Sequence, residues 1–259
     1  KCASCGKTFS YKTGTIFENS KISMKKWFLA IYLHTSHKKG ISSPQLAKYL
    51  KVRQATAWFI LHRLRLVGKN FFGKVQFTGT VEVDECYVGG SESNKHTNKK
   101  FKSEKSVIIG LVNRETKQAK AFKIDNADKE CLLPKIGCNV KEKSVIVTDT
   151  YHAYNNLRRN YTHKTVKHSA NEYVRNEVDI DGRVAFQVHT NTIEGFWSIV
   201  KRTINGTHHW ISKKHTQAYL AEMEVRYNTK EEADCVRFES FVGKVNGLRL
   251  KYKDLIAIV

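Results

Sequence analysis

The sequence predicts an α/β protein in which a helical region precedes a sheet. Residues 23–65 place apolar side chains at helical spacing. The stretch "TVEVDE" at 80–85 instead alternates as a strand, and "SVIVTD" at 144–149 is a short apolar run of the type buried on both faces of an α/β sheet. Because the chain has 259 residues, about two domains are expected.

The charge balance is strongly basic and indicates a polyanionic partner. Lys and Arg number 45 against 24 Asp and Glu, which gives a formal net charge of +21. Nucleic acid is the first partner to expect, although ribosomal and membrane-surface proteins share such a charge. No apolar run approaches the roughly 20 residues that span a bilayer, and no signal peptide is visible. We therefore expect no membrane partner, and a cytoplasmic or nucleoid location, or a nuclear one in a eukaryotic host.

The first motif is a pair of cysteines in C-x-x-C spacing, Cys2 and Cys5, in "KCASCGKTFS". Two thiols on a tight knuckle can reach one tetrahedral zinc ion, which needs four ligands. No second pair follows at zinc-ribbon spacing. We expect half of a zinc ribbon whose other knuckle lay upstream of Lys1, with no Zn²⁺ held by this chain alone; the alternative is an unmetallated turn.

Three helices are predicted in the region that follows. Ser23 caps the first, and Ser42 or Ser43 caps the second, which has Pro44 in its first turn. The third begins near Gln54. The side chains expected to face the core are Trp27, Phe28, Ile31, Tyr32, Leu46, Ala47, Leu50, Ala57, Trp58, Ile60, Leu61 and Leu64.

The second and third of these helices follow a helix-turn-helix pattern, in which the later helix can enter a major groove of DNA. On this interpretation the outward residues that contact DNA are Arg53, Gln54, Arg63 and Arg65. The spacing also fits an ordinary helical hairpin. The basic charge of the chain favours the DNA-binding interpretation. A stretch rich in Gly and Lys, "GKNFFGKVQFTG", then places a domain boundary near residue 70.

Two aspartates end predicted strands. Val81 and Val83 share one face of the first strand, so Glu82 and Asp84 share the other. Asp149 follows a buried strand directly, at the end where ligands of open α/β sheets collect. An aspartate in that position can also cap a following helix. Between the two lie a basic loop suited to phosphate contacts, residues 89–105, and two strands that pair as a hairpin, "SVIIGLVN" and "QAKAFKID".

The stretch "TNTIEGFWSIVKR", residues 190–202, is predicted to be a helix that brings a third carboxylate. Its apolar residues recur at helical spacing, and Glu194 lies on the adjoining stripe. If this helix packs across the sheet, Glu194 meets Asp84 and Asp149 above their strand ends. The alternative is purely structural: Asn191 as the N-cap and Glu194 as its capping-box partner.

Three carboxylates together are suited to hard divalent cations. We expect Mg²⁺, or Mn²⁺ in its place, at Asp84, Asp149 and Glu194. Two such ions roughly 4 Å apart can activate a water or a 3′-hydroxyl for phosphoryl transfer and stabilise the leaving oxygen. Lys201 and Arg202, from the same helix, and Lys213 and Lys214, from the cluster "HHWISKKH", are expected to contact DNA phosphates. His189 could approach the metals or be packed at the helix start.

The order of these motifs resembles a known family. C-x-x-C, the helix-turn-helix pattern, "VEVDECYVGG", "VIVTDTYHAY", "HTNTIEGFWSIVKR" and "GTHHWISKKHTQAYLAEMEVRYN" occur in that order. This arrangement resembles the bacterial insertion-sequence DDE transposases with an N-terminal zinc ribbon, the ISXO2-like group, which are relatives of the eukaryotic Merlin elements. The resemblance covers essentially the whole chain, and its motifs are specific only in combination.

The resemblance implies a ribonuclease-H-like catalytic domain with Asp84, Asp149 and Glu194 as the acidic triad and Lys201 as its basic residue. Members of the group vary at the third acidic position, so Asn191 is the fallback for Glu194. The expected organisation is a partial zinc ribbon at 1–20, a helix-turn-helix domain at 21–70 and the catalytic domain at 71–259.

The function expected from these features is DNA transposition: cleavage at the ends of a mobile element and joining of the freed 3′-hydroxyls to target DNA. The partners are then double-stranded DNA, as terminal repeats and target, and a second copy of the chain in a homodimer or larger assembly on DNA. Two alternatives stay open at this point. One is a nuclease of the same fold that only hydrolyses, and the other is a transposase-derived DNA-binding regulator without catalysis.

Overall fold

The structure, a computed structural model, describes residues 1–89, 105–170 and 172–257. Spatial contacts divide the chain into two compact units. Unit 1 comprises Lys1–Gly73, Gly206–His208 and Ala221–Val259, and unit 2 comprises Lys74–Asn205 and His209–Leu220. The predicted phosphate-contacting loop falls almost wholly outside the described residues. The domain bounds predicted from the sequence stay predictions, because compactness does not tell which segment folds alone.

Helices account for most of unit 1, and unit 2 contains both strands and helices. No helix in the described ranges is long and apolar enough to cross a membrane. The helices are α1 (Met24–Ser36), α2 (Ser43–Leu50), α3 (Gln54–Lys69), α4 (Lys129–Asn139), α5 (Asn191–Thr203), α6 (Thr216–Asn228), α7 (Asp234–Val242) and α8 (Tyr252–Ala257). The strands are β1 (Thr80–Val88), β2 (Ser106–Asn113), β3 (Ala119–Ile124), β4 (Val145–Asp149), β5 (Thr162–Val166), β6 (Val174–Val178) and β7 (Val184–His189).

The predicted starts of the first helices of unit 1 are confirmed. Ser23 accepts a hydrogen bond from the Lys26 backbone at the start of α1, and Ser42 does the same for α2, where Pro44 lies in the first turn. Each cap satisfies a backbone N–H that has no partner inside its helix. The predicted core positions are also buried, except that Trp58 is only partly buried and that Phe28 and Tyr32 stay 41% and 46% exposed. Both pack edge-on against Phe238 of α7 instead.

The predicted outward placement of Arg63 and Arg65 was wrong. Arg63 is 7% exposed and Arg65 only 1%. Arg63 donates to the carbonyl oxygen of Ile16 at 2.7 Å, and its guanidinium lies over the ring of Phe59. From Ala57 onward α3 is covered on nearly every side, so helical spacing could not separate an inner from an outer face. Neither arginine is available to a DNA surface in this fold.

Arg65 belongs to a buried ionic cluster centred on Glu222, which is itself 1% exposed. Glu222 Oε2 accepts a hydrogen bond from Arg65 Nε at 2.6 Å, and Glu222 Oε1 forms an ion pair with Arg226 Nη2 at 2.6 Å. Burial by itself would raise the pKa of Glu222, but the charges of Arg226 and Arg65 hold that pKa well below its ordinary range. His34, 3.9 Å away, keeps a neutral ring because burial lowers its pKa to about 3. The cluster ties α1, α3 and α6 together within unit 1.

Unit 2 contains a five-stranded mixed sheet in the order β3-β2-β1-β4-β5. β1 pairs antiparallel with β2 and parallel with β4, and β4 pairs parallel with β5. The predicted hairpin of β2 and β3 beside β1 is confirmed. The strands β6 and β7 form a separate antiparallel pair that leads into α5.

The two faces of this sheet have different coverings. One face carries Val81, Val83, Leu111 and Ile146, which pack with α4 and with a 3-10 helix at His152–Arg159. The other face of β1 carries Glu82 and Asp84, which contact α5. The alternation expected for β1 is therefore confirmed, and it separates an apolar face from a face with carboxylates.

We expect Glu222→Leu to destabilise the protein by about 3–5 kcal/mol, because it leaves two buried arginines without their counter-charge. The matched control is Glu130→Gln, which breaks an exposed pair with Lys129 and should cost no more than about 1 kcal/mol. Urea unfolding of both variants measures the difference. Equal losses in the two variants would mean that the buried cluster adds nothing beyond a surface pair.

Candidate active site

Asp84 and Asp149 lie at the same level on neighbouring parallel strands. The β1–β4 ladder pairs Val81 with Ile146 and Glu82 with Val147. Extended by two residues beyond these pairs, the same register sets Asp84 opposite Asp149. The prediction that Asp84 ends its strand was wrong, because β1 continues to Val88, whereas Asp149 does end β4. Adjacent strands lie about 4.8 Å apart, and side chains two residues apart share a face. The two carboxylates therefore project from one face of the sheet, next to each other.

Helix α5 runs alongside β1 in step with it. The backbone N–H of Ile193 donates to Glu82 Oε2 at 2.9 Å, and four residues later Trp197 Nε1 donates to Asp84 Oδ2 at 2.9 Å. The match is geometric, because four helical residues rise about 6 Å and two strand residues advance about 6.6 Å. Lys201 lies four residues after Trp197, and Cys86 lies two residues after Asp84 on β1. Burial raises the pKa of Cys86, and the positive charge of Lys201 opposes that rise, so the helix and the strand stay in step.

Glu82 holds the N-terminus of α5 and is the residue that sequence reasoning missed. Its side chain is fully buried. Besides the Ile193 amide it accepts the hydroxyl of Thr192 at 2.9 Å and Arg114 Nε at 2.7 Å. A buried carboxylate at a helix N-terminus satisfies backbone donors that have no partner in the helix and interacts favourably with the helix dipole. Glu82 thus caps α5 from a neighbouring strand.

Arg114 extends this contact to the strand before α5. Its two terminal nitrogens donate to the carbonyl oxygens of Gln187 and His189, both at the end of β7. One guanidinium therefore joins Glu82 on β1 to the last residues before the helix. His189 Nδ1 is 3.3 Å from Glu82 Oε1. His189 is therefore packed at the start of α5, which is one of the two roles expected for it from the sequence. Burial and the charge of Arg114 lower its pKa.

The structural alternative, with Asn191 as the N-cap of α5, does not hold, because the helix is capped by other residues. Thr190 occupies the N-cap position, and Glu82 supplies the accepting carboxylate. Glu194 does accept a hydrogen bond from the Thr190 hydroxyl at 3.3 Å, and His168 Nε2 lies 3.7 Å from the same carboxylate oxygen. The capping-box pairing of Asn191 with Glu194 is therefore replaced by contacts with Thr190 and His168. The carboxylate of Glu194 stays 47% exposed.

The pKa of Asp84 is affected by the other two predicted carboxylates, Asp149 and Glu194. Burial raises its pKa to about 6, against an ordinary value of 3.8. Hydrogen bonds from the Glu85 backbone and from Trp197 oppose that rise, and the negative charges of Asp149 and Glu194 add to it. Glu85 itself, on the other face, has a pKa raised to about 7 by burial next to Tyr154.

The carboxylates of Asp84 and Asp149 are donors that fit a divalent cation. Asp84 and Asp149 are hard oxygen donors on one face, and their mutual repulsion is what a cation would relieve. Asp149 also accepts the Tyr151 backbone N–H at 2.9 Å, which orients its carboxylate. Across the described ranges, however, no three such side chains lie close enough to form a complete metal site. Glu194, tied to Thr190, would have to turn toward the aspartates to complete one.

The predicted phosphate contacts in unit 2 are exposed. Lys201, Arg202, Lys213 and Lys214 all reach solvent. The last two directly precede α6, whose Thr216 hydroxyl lies 3.1 Å from that of Ser106, the residue paired with Val88 at the carboxyl end of β1. Lys213 and Lys214 therefore lie near the carboxyl end of β1, and β4, which is parallel to β1, ends in Asp149 on the same side of the sheet.

In unit 1, Arg53 and Gln54 are exposed at the start of α3, and Gln54 Nε2 donates to the Ser43 hydroxyl of α2 at 2.8 Å. Cys2 and Cys5 lie on a turn closed by a bond from the Gly6 amide to the Cys2 carbonyl at 2.9 Å. A hydrogen bond from Ser4 lowers the pKa of Cys2 to about 6. The zinc-ribbon and helix-turn-helix interpretations stay predictions.

A mixed five-stranded sheet that carries Asp84 within β1 and Asp149 at the end of the adjacent β4 is consistent with a ribonuclease-H-like domain of the DDE type. Comparison with known families agrees with this class. Residues 76–228 match the model of the ISXO2-like transposase domain, which is more than half of the chain. The protein belongs to the ISXO2-like transposase family, as the resemblance stated from the sequence implied. Membership implies DNA binding and divalent metal use in general.

Relatives of known sequence carry similar descriptions. A protein of Halobacterium salinarum described as an uncharacterized protein in transposable element ISH50 is 26% identical over 241 residues, covering 87% of this chain and 76% of its own length. An uncharacterized transposase-like protein of Haemophilus influenzae is 32% identical over 112 residues, covering 42% and 79%. A chain of the simian T-cell lymphotropic virus intasome, solved with the PP2A regulatory subunit B56 gamma, aligns at 12% identity with a TM-score of 0.32, over 77% of this chain and 65% of that one.

We expect Glu82→Gln to loosen the start of α5, since an amide cannot accept from both Arg114 and the helix N-terminus as a carboxylate does. The expected cost is about 1–3 kcal/mol, with faster hydrogen exchange at the Ile193 amide. Glu177→Gln is the control, because it alters the half-exposed pair with Lys164 in the same unit. Unchanged exchange at Ile193 would contradict the capping role of Glu82.

We expect Asp84→Asn to change the pH dependence of stability in metal-free protein. A carboxyl whose pKa is raised to about 6 from 3.8 binds more protons folded than unfolded, so its contribution is present below about pH 4 and is lost as the pH rises through about 6. The Tm difference, variant minus wild type, should therefore become more positive between pH 4 and pH 7 in EDTA. Asp181→Asn, on an exposed turn, is the control. A difference independent of pH would contradict the raised pKa.

Proposed function

We propose that this protein is a DDE transposase that cleaves DNA at the ends of a mobile element and joins the freed 3′-hydroxyls to target DNA. The observation that carries the proposal is the register of β1 and β4, which sets Asp84 level with Asp149. Helix α5 adds the charge of Glu194 from above the same face. The family match supports a transposase, and the net charge of +21 supports a polyanionic substrate.

The proposed catalytic residues are Asp84, Asp149 and Glu194, which would hold Mg²⁺ or Mn²⁺. Two bound ions of this kind supply charge stabilisation to the attacking and leaving oxygens of an in-line phosphoryl transfer. The residues of the chain hold that arrangement in place: the Tyr151 amide orients Asp149, Trp197 orients Asp84, and Glu82 holds the helix that carries Glu194. Glu194 completes the site by leaving its bond to Thr190. No covalent intermediate with the protein is required.

Contacts to DNA are proposed on both units. In unit 2, Lys201 lies one turn beyond Trp197 on the helix stripe that faces the carboxylates, where it would hold a phosphate close to the reacting one. Arg202, Lys213 and Lys214 extend this basic surface. In unit 1, the exposed start of α3, with Arg53 and Gln54, is proposed to enter a major groove as the second helix of a helix-turn-helix. The buried Arg63 and Arg65 are not part of it.

The remaining features of the proposal concern organisation. Residues 1–20 are proposed as part of a zinc ribbon, 21–70 as the helix-turn-helix domain and 71–259 as the catalytic domain. Joining of element ends requires two ends to be held at once, so a dimer or larger assembly on DNA is proposed. A cytoplasmic or nucleoid location fits access to DNA.

We expect Asp149→Asn to lower cleavage of element-end DNA by at least about a hundredfold, because the amide removes a negative charge from the site. Binding to the same duplex should stay within a factor of about two, since Asp149 does not contact DNA in the proposal. Gel-based cleavage and binding assays with Mg²⁺ measure both quantities, and Asp181→Asn is the control. Normal cleavage by Asp149→Asn would contradict the assignment of the site.

The same assay separates this proposal from its two alternatives. Joined products from 3′-hydroxyl ends support transposition, whereas hydrolysis without joining indicates a nuclease of the same fold. Duplex binding without either reaction, by wild-type protein with Mg²⁺, would indicate a DNA-binding regulator.

We expect Lys213→Ala combined with Lys214→Ala to reduce the salt dependence of DNA binding. Each lost phosphate contact lowers the slope of log affinity against log salt by about 0.9, so two contacts lower it by nearly 2. Lys129→Ala with Lys135→Ala, exposed on α4 on the opposite face of the sheet, is the matched control. Equal slopes for wild type and the Lys213/Lys214 variant would remove this pair from the interface.

A further inference from the structure

Trp197 is the point at which helix α5 meets a predicted catalytic carboxylate. Its indole is 4% exposed, and its Nε1 donates to Asp84 Oδ2 at 2.9 Å. A buried tryptophan needs a partner for its single donor, and here that partner is a carboxylate. The indole is rigid and packed, so the bond fixes the orientation of Asp84. The carboxylate oxygen that accepts from the indole is Oδ2.

A glycine on the neighbouring strand makes the space for this indole. Gly110 on β2 is the register partner of Asp84. A Cβ added at Gly110 would lie 2.5 Å from Trp197 Cζ2 and 2.7 Å from Cη2, closer than real contacts allow. The backbone of Gly110 is not in the left-handed region, so the strand does not need glycine for its conformation. Glycine in a strand interior is unfavourable by itself and often marks a close approach.

We propose that Trp197 is a positioning residue for Asp84, and that Gly110 serves to give the indole its place. This inference rests on the proposed function, in which Asp84 binds a divalent cation. Loss of the indole donor should lower the affinity for that cation, since residues that orient metal ligands typically contribute about 10–100-fold. Gly110→Ala should have the same effect, although Gly110 has no side chain with which to bind a cation.

The test is Mn²⁺ binding by the full-length protein, measured by the electron paramagnetic resonance signal of free Mn²⁺. Trp197→Phe removes the donor and the second ring while keeping an aromatic side chain. We expect its Mn²⁺ affinity to fall about tenfold, and Gly110→Ala to match it. Gly137→Ala on α4 is the control glycine, because no atom lies within 4 Å of an added Cβ there. Its affinity should equal that of the wild type.

The double variant Gly110→Ala/Trp197→Phe tests whether Gly110→Ala acts through the Trp197 indole. Phenylalanine lacks the atoms that clash with an alanine at 110, so the double variant should bind Mn²⁺ no more weakly than Trp197→Phe alone. Additive losses would mean that Gly110 acts by another route and would overturn its proposed role. Thermal unfolding of each variant, followed in parallel, ensures that folded protein is compared; if Gly110→Ala does not fold, the Trp197→Phe affinity alone decides the role of Trp197.

A second readout follows the indole directly. In ¹H–¹⁵N spectra the Trp197 side-chain resonance is identified by its loss in Trp197→Phe. It should shift on Mg²⁺ addition in wild-type protein and stay in place in Asp84→Asn. Wild-type Mn²⁺ affinity in Trp197→Phe would overturn the positioning role while leaving the proposed function intact. Wild-type affinity in Asp84→Asn would instead overturn the proposed function, and this inference with it.

Discussion

The arrangement of unit 2 depends on one interaction, the acceptance of the α5 N-terminus by the buried carboxylate of Glu82. That contact fixes where the helix begins relative to β1. Because the rise of four helical residues nearly equals the advance of two strand residues, the next contact along follows from it and brings Trp197 to Asp84. A helix shifted by one residue would lose both contacts together. Glu194 lies three residues before Trp197 on the same helix. Its position is therefore fixed by Glu82, which is not a member of the predicted triad.

Glu82 is able to do this because its charge is balanced on several sides. A buried carboxylate is costly unless it is paired and hydrogen-bonded. Arg114 provides the counter-charge and also binds the two carbonyls that end β7, so the strand leading into α5 is held by the same pair. Asp84, by contrast, accepts hydrogen bonds from Trp197 and from the Glu85 backbone, and burial raises its pKa. The buried negative charge of Asp84 therefore destabilises the metal-free protein at the place where the proposed cation would bind.

The sequence could predict the elements whose signals are local. β1 and β4 have strong apolar patterns, Asp149 follows its strand directly, and α5 has a clear helical stripe, so the carboxylates could be located on their elements. Strand β5, "THKTV", is short and polar and gave no such signal. Helix α3 was located correctly, but its periodicity suggested an outer face that neighbouring segments cover, and Arg65 was therefore placed outside although it meets Glu222, which is 157 residues away in the chain.

The role of Glu82 could not be predicted for a related reason. Strand alternation placed it on the same face as Asp84, which was correct, and nothing local distinguished a buried carboxylate from a solvated one. Its partners come from β2 and from the start of α5, so the signal exists only after the sheet has formed. The same holds for Gly110, whose only local feature is a glycine inside an otherwise apolar strand. Long-range contacts of this kind are what the structure adds to the sequence.

The measurement that tests the account most directly is a crystal structure of the protein soaked in Mn²⁺, with anomalous data that locate the metal. We expect an anomalous peak between Asp84 and Asp149, with ligand oxygens about 2.0–2.3 Å away, distances suited to small divalent cations. We also expect Glu194 to have turned from Thr190 toward the ion. A structure with saturating Mn²⁺ and no peak at these carboxylates, or with a peak that Asp84 does not ligate, would contradict the central claim.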